Sequence, residues 1–507
     1  MFVRKRKNRS GSITVVVVDK SSGKFRERAN FGSSSNPEEI NRLVGKARDY
    51  ILRYDGQQLL DFVGTSKAIE ATEAFIGGIE SVLLNGPQLI LNKIYDEIGF
   101  NVIDDDVLRN LVIARICQPG SKMATAAYLK SHFDEDLNHW KIYRYMDKMY
   151  NTQQEVVQRI SVAHTMKVLG GRIGLMFYDV TSLYFETPVR DDLRTPGFSK
   201  DGKTSESQII LGLLVSEGGY PLSYSIFNGS QYEGYTMIPI IDDFVRRFKL
   251  TDFVVVADSG LMSTTNVNLL RSAGYKYIIG ARIRNESKAV KDWILSLEKV
   301  DGTLHERRYG KSDERLIVGY SDARAAKDAH NRNRGVERLR KMYAKGSLSK
   351  DKLTRRGYSK FLEMEGDISV VISQDKIDED ARWDGLKGYK TNTNLPAETI
   401  VDQYHGLWVV ERAFRISKGN LEMRPMFHFT EKRIQAHICI CFVAYKVYKE
   451  LQRRMREKGM TMSVDKALAI AKTVTTIIVR IPGTGEVKEQ TLLLTPEQQS
   501  IAPLINP

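Results

Sequence analysis

Cysteine is scarce in this sequence, and long apolar runs are missing. Three cysteines in 507 residues cannot build the disulfide framework of a secreted protein, and no cysteine or histidine spacing fits a zinc site. No run approaches the roughly 18 apolar residues that cross a bilayer. No apolar stretch follows the basic N-terminus, so neither a membrane span nor a signal peptide is predicted. These absences predict a protein of a reducing cytoplasm with no membrane partner.

Acidic residues are outnumbered as well. The chain has 76 Lys and Arg against 62 Asp and Glu, a net charge of +14 and a pI near 9.3. Such a surplus favours a polyanionic partner, nucleic acid first, although an ordinary soluble basic protein is the alternative. There is no internal repeat and no glycine-rich phosphate loop, which leaves no sign of a repeat array or of a P-loop nucleotide site.

Two aspartates stand at the ends of strand-like apolar runs. Asp179 lies in the run 174–181, and Asp258 directly follows the run 253–257. Such runs predict strands buried on both faces, where a carboxylate is costly unless it has a partner. Asp258 is therefore predicted in a site at a strand end, the alternative being a cap for the helix that follows. Glu186, seven residues after Asp179, is predicted on the opposite face.

Residues 404–428 supply a third acidic candidate. A continuous helix there would place Glu411, Arg415, Lys418 and Glu422 on one face, at i, i+4, i+7 and i+11. A solvated face of an amphipathic helix is the plain alternative. Together with the two strand-end aspartates, however, a carboxylate on this helix would complete a metal site.

The same stretch resembles the DDE-type insertion-sequence transposases. Tyr404, Glu411 and Lys418 match their Tyr-x2-Arg-x3-Glu-x6-Lys signature, with Leu407 in the Arg position. Other positions that match family motifs are Trp408, Arg424, Pro425 and His428 downstream, and Arg115, Pro119, Ser121 and Lys122 upstream. The resemblance covers roughly residues 90 to 450. It implies a bacterial or archaeal DNA-associated enzyme with Asp179, Asp258 and Glu411 as its catalytic residues.

The order of predicted elements gives the fold. Three antiparallel strands, then a helix, a strand, a helix and a strand, is the order of a ribonuclease H-like domain. The fold class predicted is α/β, in an α+β multidomain chain: a ribonuclease H-like catalytic core, interrupted by an insertion domain and preceded by a helical region that binds DNA. The predicted divisions are a small N-terminal α+β unit (1–66), the helical region (67–168), the first part of the core (169–283), the insertion domain (284–396), the second part of the core (397–458) and a C-terminal tail (459–507). A structural helical cap is the alternative for 67–168.

Three carboxylates offer the oxygen ligands that Mg²⁺ or Mn²⁺ prefers. Two ions about 3.5–4 Å apart can clamp the attacking and leaving oxygens of a phosphoryl transfer. Asp179 is predicted to bridge the ions, with Asp258 and Glu411 each completing one. Lys418 would hold a phosphate near the scissile bond, and Tyr404 would contact the terminal backbone or stack on a base.

Further DNA contacts are predicted at Arg415, at Lys122 and in the insertion domain. Between Arg324 and Lys360 there are 13 basic and 3 acidic residues. The plain alternative for this segment is a solvated helix, predicted over 322–345. The residues expected to track a DNA backbone are Arg332, Arg334, Arg338, Arg340 and Lys341.

The function predicted is that of a transposase, which cleaves the ends of an insertion sequence and transfers them into target DNA. A nuclease with the same metals is one alternative, and a non-catalytic DNA-binding relic is another. Double-stranded DNA, as transposon ends and as target, is the expected partner. A homodimer on DNA is expected by analogy, because two ends must be paired.

Overall fold

A computed structural model describes residues 1–21, 23–54, 62–149, 153–186, 189–198, 205–261, 263–309, 313–345, 357–365, 369–424 and 426–505. Three residues used in the predictions lie outside the described residues: Ser22 of a turn predicted over 21–23, Ile368 of a strand predicted over 368–373, and Pro425 of the family motif. The chain divides into two units. The first comprises 1–82 with 477–491, and the second comprises 83–476 with the chain after residue 491.

Strands and helices are numbered in chain order. The strands are β1 Phe2–Lys7, β2 Ile13–Asp19, β3 Arg26–Ser34, β4 Ile79–Leu83, β5 Leu175–Tyr184, β6 Thr195–Pro196, β7 Ser207–Ser216, β8 Pro221–Asn228, β9 Val254–Ala257, β10 Lys276–Ala281, β11 Leu304–Arg308, β12 Arg315–Tyr320, β13 Leu362–Glu365, β14 Ser369–Ile372, β15 Leu386–Thr391, β16 Thr475–Arg480 and β17 Val487–Leu492. The helices are α1 Pro37–Tyr54, α2 Phe62–Gly77, α3 Gly86–Ile98, α4 Asp106–Cys117, α5 Lys122–Phe133, α6 His139–Met149, α7 Gln154–Val168, α8 Met237–Phe248, α9 Thr264–Ser272, α10 Lys288–Leu295, α11 Asp322–Ala344, α12 Gln374–Ala381, α13 Ala397–His405, α14 Trp408–Lys418, α15 Glu431–Glu457, α16 Val464–Ala471, α17 Pro496–Ser500 and α18 Ala502–Ile505. No helix in the described ranges is long and apolar enough to cross a membrane.

The first unit is built on the valine-rich strand β2. It pairs with β1 and β3 in an antiparallel sheet. Ile40, Leu43 and Ala47, spaced to share one face of α1, pack on Val15 and Val17. The sequence predicts strands over 13–19 and 24–31 and a helix over 37–53, and β2, β3 and α1 confirm them. Sequence periodicity does not predict β1, because its mostly exposed residues, rich in Arg and Lys, carry no buried stripe.

The helical part of the second unit is organised around α15. This helix is buried on nearly all sides between Ile434 and Leu451, the pattern of a helix at the centre of a core. Helices α3, α4, α6 and α7 pack against it. The sequence predicts helices near 88–99, 104–116, 121–132, 137–150 and 152–168, and α3 to α7 confirm them. This packing agrees with the structural alternative for these helices, and their contact with DNA stays a prediction.

A mixed sheet forms the rest of the second unit. In the described residues it has nine strands, in the order β11-β12-β15-β10-β9-β5-β7-β6, with β8 paired to β7. Strands β9 and β10 run parallel to β5, whereas β7 and β8 alternate in direction. The order β8-β7-β5-β9-β10 therefore places the first strand, β5, between its antiparallel and parallel neighbours.

The two faces of β5 belong to different cores. Met176, Tyr178 and Val180 contact α8 and its neighbours, whereas Phe177 and Leu183 belong to the core that contains α14 and α15. Since side chains alternate along a strand, Asp179 projects toward the α14 face. Strand period and burial therefore decide on which face the first aspartate lies.

Residues 284–396 extend the main sheet and also form a small core of their own. They add β11, β12 and β15 to the edge of the main sheet through β10. They also form a small separate core, in which α11 contributes Val336 and Leu339 against Phe361. The predicted helix from 322 and strand 315–320 are confirmed.

The helix predicted over 404–428 is broken and too long. Tyr404 ends up in α13 and Glu411 in α14, with Gly406 and Leu407 between them. The helix stops at Lys418, and Glu422 follows it with a φ of 42°. The prediction that Glu422 shares the Glu411 face is therefore wrong, because the chain leaves the helix before reaching it.

Candidate active site

The two aspartates are neighbours across the sheet. Strands β5 and β9 are paired in parallel as far as Tyr178 opposite Ala257. Asp179 and Asp258 each come one residue later, so the register sets them side by side. Adjacent strands are about 5 Å apart, which puts the two carboxylates at one edge, where the β9 chain turns away. Ser263, not Asp258, caps α9, so the capping alternative for Asp258 is wrong.

Tyr404 holds Asp258 from the α13 side. Its hydroxyl donates a hydrogen bond of 2.8 Å to Asp258 Oδ1, and its ring packs on Tyr389 with centroids 4.9 Å apart. Gly280, next to Asp258 in the β9–β10 register, makes room for this contact. A Cβ there would lie 2.5 Å from the Tyr404 hydroxyl. Burial, followed by the charge of Asp258, raises the pKa of Tyr404, so the phenol stays protonated as a donor.

Helix α14 lies along β5 on the Asp179 face. At its start, a Cβ on Gly406 would lie 2.6 Å from the Phe177 ring. At its end, the Lys418 ammonium donates to the hydroxyl of Thr181. Asp179 lies between Phe177 and Thr181 on the same face, and Glu411 lies two turns before Lys418 on the helix. The close approach at Gly406 and the contact at Lys418 thus hold α14, with Glu411 between them, against β5.

Lys387 is a candidate that sequence reasoning missed. Its ammonium is 4.4 Å from the centre of the Tyr404 ring. Burial, and then Arg324, lowers the pKa of Lys387, whereas the charges of Asp258 and Glu411 oppose that shift. The Lys387 ammonium is therefore stabilised by the charges of both carboxylates. Its position on β15, outside the family signature, gave no sequence signal.

The side chains of Asp179, Asp258 and Glu411 are chemically suited to bind a divalent cation. Three carboxylates provide hard oxygen ligands, and the side chains of Asp258 and Glu411 are exposed and accessible to an ion. Asp179 is half-buried, and its Oδ1 accepts a hydrogen bond of 2.8 Å from the Val180 amide. Among the residues described, no three acidic, histidine or cysteine side chains are already gathered into a metal-binding group.

Much of the second unit matches a known protein family. The model of the transposase DDE domain matches residues 175–446, from the first residue of β5 into α15 and over more than half of the chain. The chain belongs to the family of DDE-domain transposases. No curated protein matches it. Among the solved structures that resemble this transposase is the piggyBac transposase synaptic complex with hairpin DNA, which is 9% identical, with a TM-score of 0.42 over 73% of this chain and 70% of that one.

A cavity of about 740 Å³ opens beside Asp258 and Tyr404 in this transposase. Its cationic lining residues are Arg282, Arg284, Arg324, Arg332, Lys360 and Lys387. Arg282 also donates to the carbonyl oxygens of Ser259 and Gly260, at 3.1 and 3.2 Å, and so fixes the turn after Asp258. The lining also includes Asp328, Asp380 and Asp384. Because Arg284 and Lys360 pair with Asp380 and Arg332 pairs with Asp384, the walls carry mixed charge.

The five predicted DNA-contacting residues of α11 divide into two groups. Arg334, Arg338, Arg340 and Lys341 are exposed. Arg332 is 9% exposed at its side chain and forms two hydrogen bonds to Asp384, at 2.6 and 2.7 Å. In this structure the partner of Arg332 is thus a carboxylate of the same chain.

Other predicted contacts also differ in exposure. Arg415 is exposed on α14, whereas Lys122 is buried at the start of α5, with 4% exposure. Leu407, in the signature's Arg position, is buried at the joint between α13 and α14. Trp408 beside it is 55% exposed, and exposed tryptophan next to a candidate site is suited to stacking on a base.

Proposed function

We propose that this transposase cleaves DNA at the ends of a mobile element and transfers the released ends into target DNA, with Asp179, Asp258 and Glu411 as its catalytic residues. One observation carries the proposal. Asp179 and Asp258 each come one residue after the last pair of the parallel β5–β9 register, on the face of β5 that is covered by α14, the helix that bears Glu411. Membership of the DDE-domain family supports it.

The strand order supports a ribonuclease H-like core. In such a core the first strand lies between an antiparallel pair and two parallel strands, which is the order β8-β7-β5-β9-β10. The two aspartates then come from the first and fourth core strands. Strands β15, β12 and β11 are additions from the insertion between the second aspartate and the glutamate.

Asp179, Asp258 and Glu411 would hold the divalent cations, Mg²⁺ or Mn²⁺. Bound there, two such ions would polarise the phosphate and favour the deprotonated form of the attacking water or hydroxyl. The chain itself orients the groups: Tyr404 fixes one rotamer of Asp258, and the contact of Lys418 with Thr181 fixes the end of α14.

The reaction proposed has two phosphoryl transfers. Water attacks the phosphorus at the element's end, the bond to the 3′ oxygen breaks, and that oxygen leaves as a hydroxyl. The new 3′-hydroxyl then attacks a phosphorus in target DNA and displaces a target 3′ oxygen, so one phosphodiester forms as another breaks. In this proposal Lys418 and Lys387 would bind the phosphate undergoing attack, and Arg415 would bind a neighbouring one. Tyr404 would contact the terminal nucleotide.

The DNA flanking the gene tests the proposal. Inverted repeats bordered by a short duplication would provide the end sequences, which are then placed on a plasmid with purified protein, Mg²⁺ and target DNA. Products joined to the target support a transposase. Cut ends that never join would indicate the nuclease alternative, and binding without any cutting would indicate the non-catalytic one. A complex of two protein chains with two ends would support the proposed homodimer.

Tyr404→Phe should slow end cleavage about ten- to a hundredfold, because it removes a hydrogen bond to a charged group, a loss of about 1.5–3 kcal/mol when expressed fully in the transition state. Binding of end DNA should be unchanged. Tyr275→Phe is the matched control, since it removes a Tyr-to-Asp hydrogen bond of 2.7 Å, to Asp242. Equal rates for both variants in a single-turnover assay would remove Tyr404 from the site.

The exposed residues of α11 are proposed to bind DNA phosphates. Neutralising Arg334, Arg338, Arg340 and Lys341 together should flatten the slope of log affinity against log salt by about 0.9 per lost contact. Base preference should not change, because phosphate contacts carry no sequence information. A salt titration of binding measures this.

A control with the same change of net charge separates contacts from general attraction. Its four exposed cations lie away from α11: Arg172, Arg246, Lys249 and Lys288. An equal slope for the two quadruple variants would show that α11 is a solvated helix and that DNA binds elsewhere.

A further inference from the structure

A second, smaller cavity of about 100 Å³ lies beyond the end of α14. It is formed by the turn before α5, by the segment after α14 and by α15. Its volume suits one small oxyanion or a few water molecules and is too small for a nucleobase. Four of its lining side chains are each at least nine-tenths buried: Arg115, Lys122, His428 and His437.

The cavity has buried positive charge with few partners. Arg115 donates one hydrogen bond of 3.2 Å to the Gly120 carbonyl. Lys122 has no hydrogen bond or ion pair within the described ranges. Glu422 also lines the cavity, but it is exposed and forms no ion pair with either cation in the described part of the chain. Burial, and then the charge of Arg115, lowers the pKa of Lys122 to about 7, as expected for a buried ammonium with no anion beside it, and a bound anion would favour the charged form.

Two histidines add hydrogen-bonding capacity. His437 Nδ1 is buried without a hydrogen-bond partner among the described residues. Burial, and then Lys122 and Arg115, lowers the pKa of His428 to about 3, and burial holds the pKa of His437 well below its ordinary value. Both rings are therefore neutral at physiological pH, and each can donate one N–H to an anion without adding a charge.

The N-terminus of α5 also favours an anion in this cavity. Lys122 is the first residue of α5, a helix of 12 residues capped by Ser121, whose hydroxyl accepts from the Ala124 amide. The N-terminus of a helix favours an anion through its free amides and its dipole. Independent features, the unpartnered Lys122, the orphan nitrogen of His437 and the helix N-terminus, thus converge on one small space.

We propose that this cavity is a phosphate-binding site, separate from the carboxylates, in which Arg115, Lys122 and His437 hold one phosphate group of a DNA strand. Phe427 indicates the nucleic-acid source, because it lines the cavity and is 62% exposed. A base attached to the bound phosphate could stack on it. The phosphate site itself does not depend on the proposed function, whereas its DNA source does.

Inorganic phosphate is the first probe, titrated into the full chain without DNA and followed by calorimetry and by thermal unfolding. Wild-type protein should bind it and be stabilised. Lys122→Met should weaken binding about tenfold or more, because it removes a charge-assisted contact. Lys130→Met, an exposed lysine of the same helix, is the control, since it shares any general effect of phosphate as an excluded salt.

Lys122→Met is expected to fold, because it removes a buried unpaired charge. If it does not fold, Lys122→Gln serves as the second variant and should also bind phosphate more weakly. Equal binding or equal stabilisation of wild type, the Lys122 variants and Lys130→Met would overturn the site.

End DNA is the second probe. If the site holds a DNA phosphate, inorganic phosphate should compete with DNA, and Lys122→Met should flatten the salt slope of DNA binding by about 0.9. If Lys122→Met loses phosphate binding but binds DNA normally, the site takes free phosphate and the DNA source is wrong. Asp179→Asn should bind inorganic phosphate normally, so failure of the proposed chemistry and failure of this site are distinguishable.

Discussion

Glu411→Gln should abolish cleavage of element ends while leaving the binding of end DNA nearly intact. The substitution removes one ionic oxygen ligand and keeps the volume of the side chain and a good helix former in α14. Losing a ligand to a catalytic metal is expected to cost about 4 kcal/mol or more in the transition state, which is about a thousandfold in rate. Asp179→Asn and Asp258→Asn should have the same effect, because the two aspartates are neighbours across the β5–β9 register.

Single-turnover cleavage in Mg²⁺, with binding measured in parallel, checks this prediction. Glu398→Gln is the control, because Glu398 is an exposed carboxylate in the first turn of α13. A chelator should reduce wild-type cleavage to the level of the three variants. Cleavage that survives one of the substitutions would remove that residue from the site, and survival in all three would refute the proposed chemistry.

Arg332→Met should destabilise the second unit by roughly 3 kcal/mol, because breaking a buried ion pair leaves an uncompensated charge. The residue left behind is Asp384, which is 14% exposed at its side chain and loses both hydrogen bonds from the guanidinium. The nearby Asp380 keeps its own contacts with Arg284 and Lys360. Burial would raise the pKa of Asp380, but those two contacts outweigh it and lower that pKa.

Chemical denaturation measures the effect. Arg334→Met, an exposed neighbour on α11, should shift stability by no more than about 0.5 kcal/mol. Adding Asp384→Leu to Arg332→Met should recover part of the loss, since removal of both partners leaves no buried charge. If Arg332→Met and Arg334→Met have equal free energies of unfolding, the Arg332 ion pair does not stabilise the fold. Arg332 would then be available to bind DNA.

Local chemistry was sufficient for the elements that carry the aspartates. Apolar runs predicted the strands around 174–181 and 253–257, because such runs fit a sheet buried on both faces. The segments 276–281 and 315–320 also predict strands, and β10 and β12 have those bounds. The signature around Glu411 pointed to the family, which the match over 175–446 establishes.

The break between α13 and α14 was beyond sequence reasoning. Apolar spacing through Leu407 and Val410 fits one helix, and nothing local forbids it. The break follows from the close approach of Gly406 to the Phe177 ring, more than 200 residues earlier in the chain. Glu422 leaves the helix face that periodicity assigns to it for a separate reason, because α14 ends at Lys418.

The sequence by itself determined which residue types stand at strand ends and on helices, because strand and helix periods are local properties of the chain. Only the tertiary structure decided which of them meet. It set Asp179 beside Asp258 through the β5–β9 register, brought Lys387 to Tyr404, turned Arg332 toward Asp384 and buried Lys122 beside His437. Each of these contacts joins residues far apart in the chain, and the free energy that fixes them comes from burial and charge pairing, which no local pattern records.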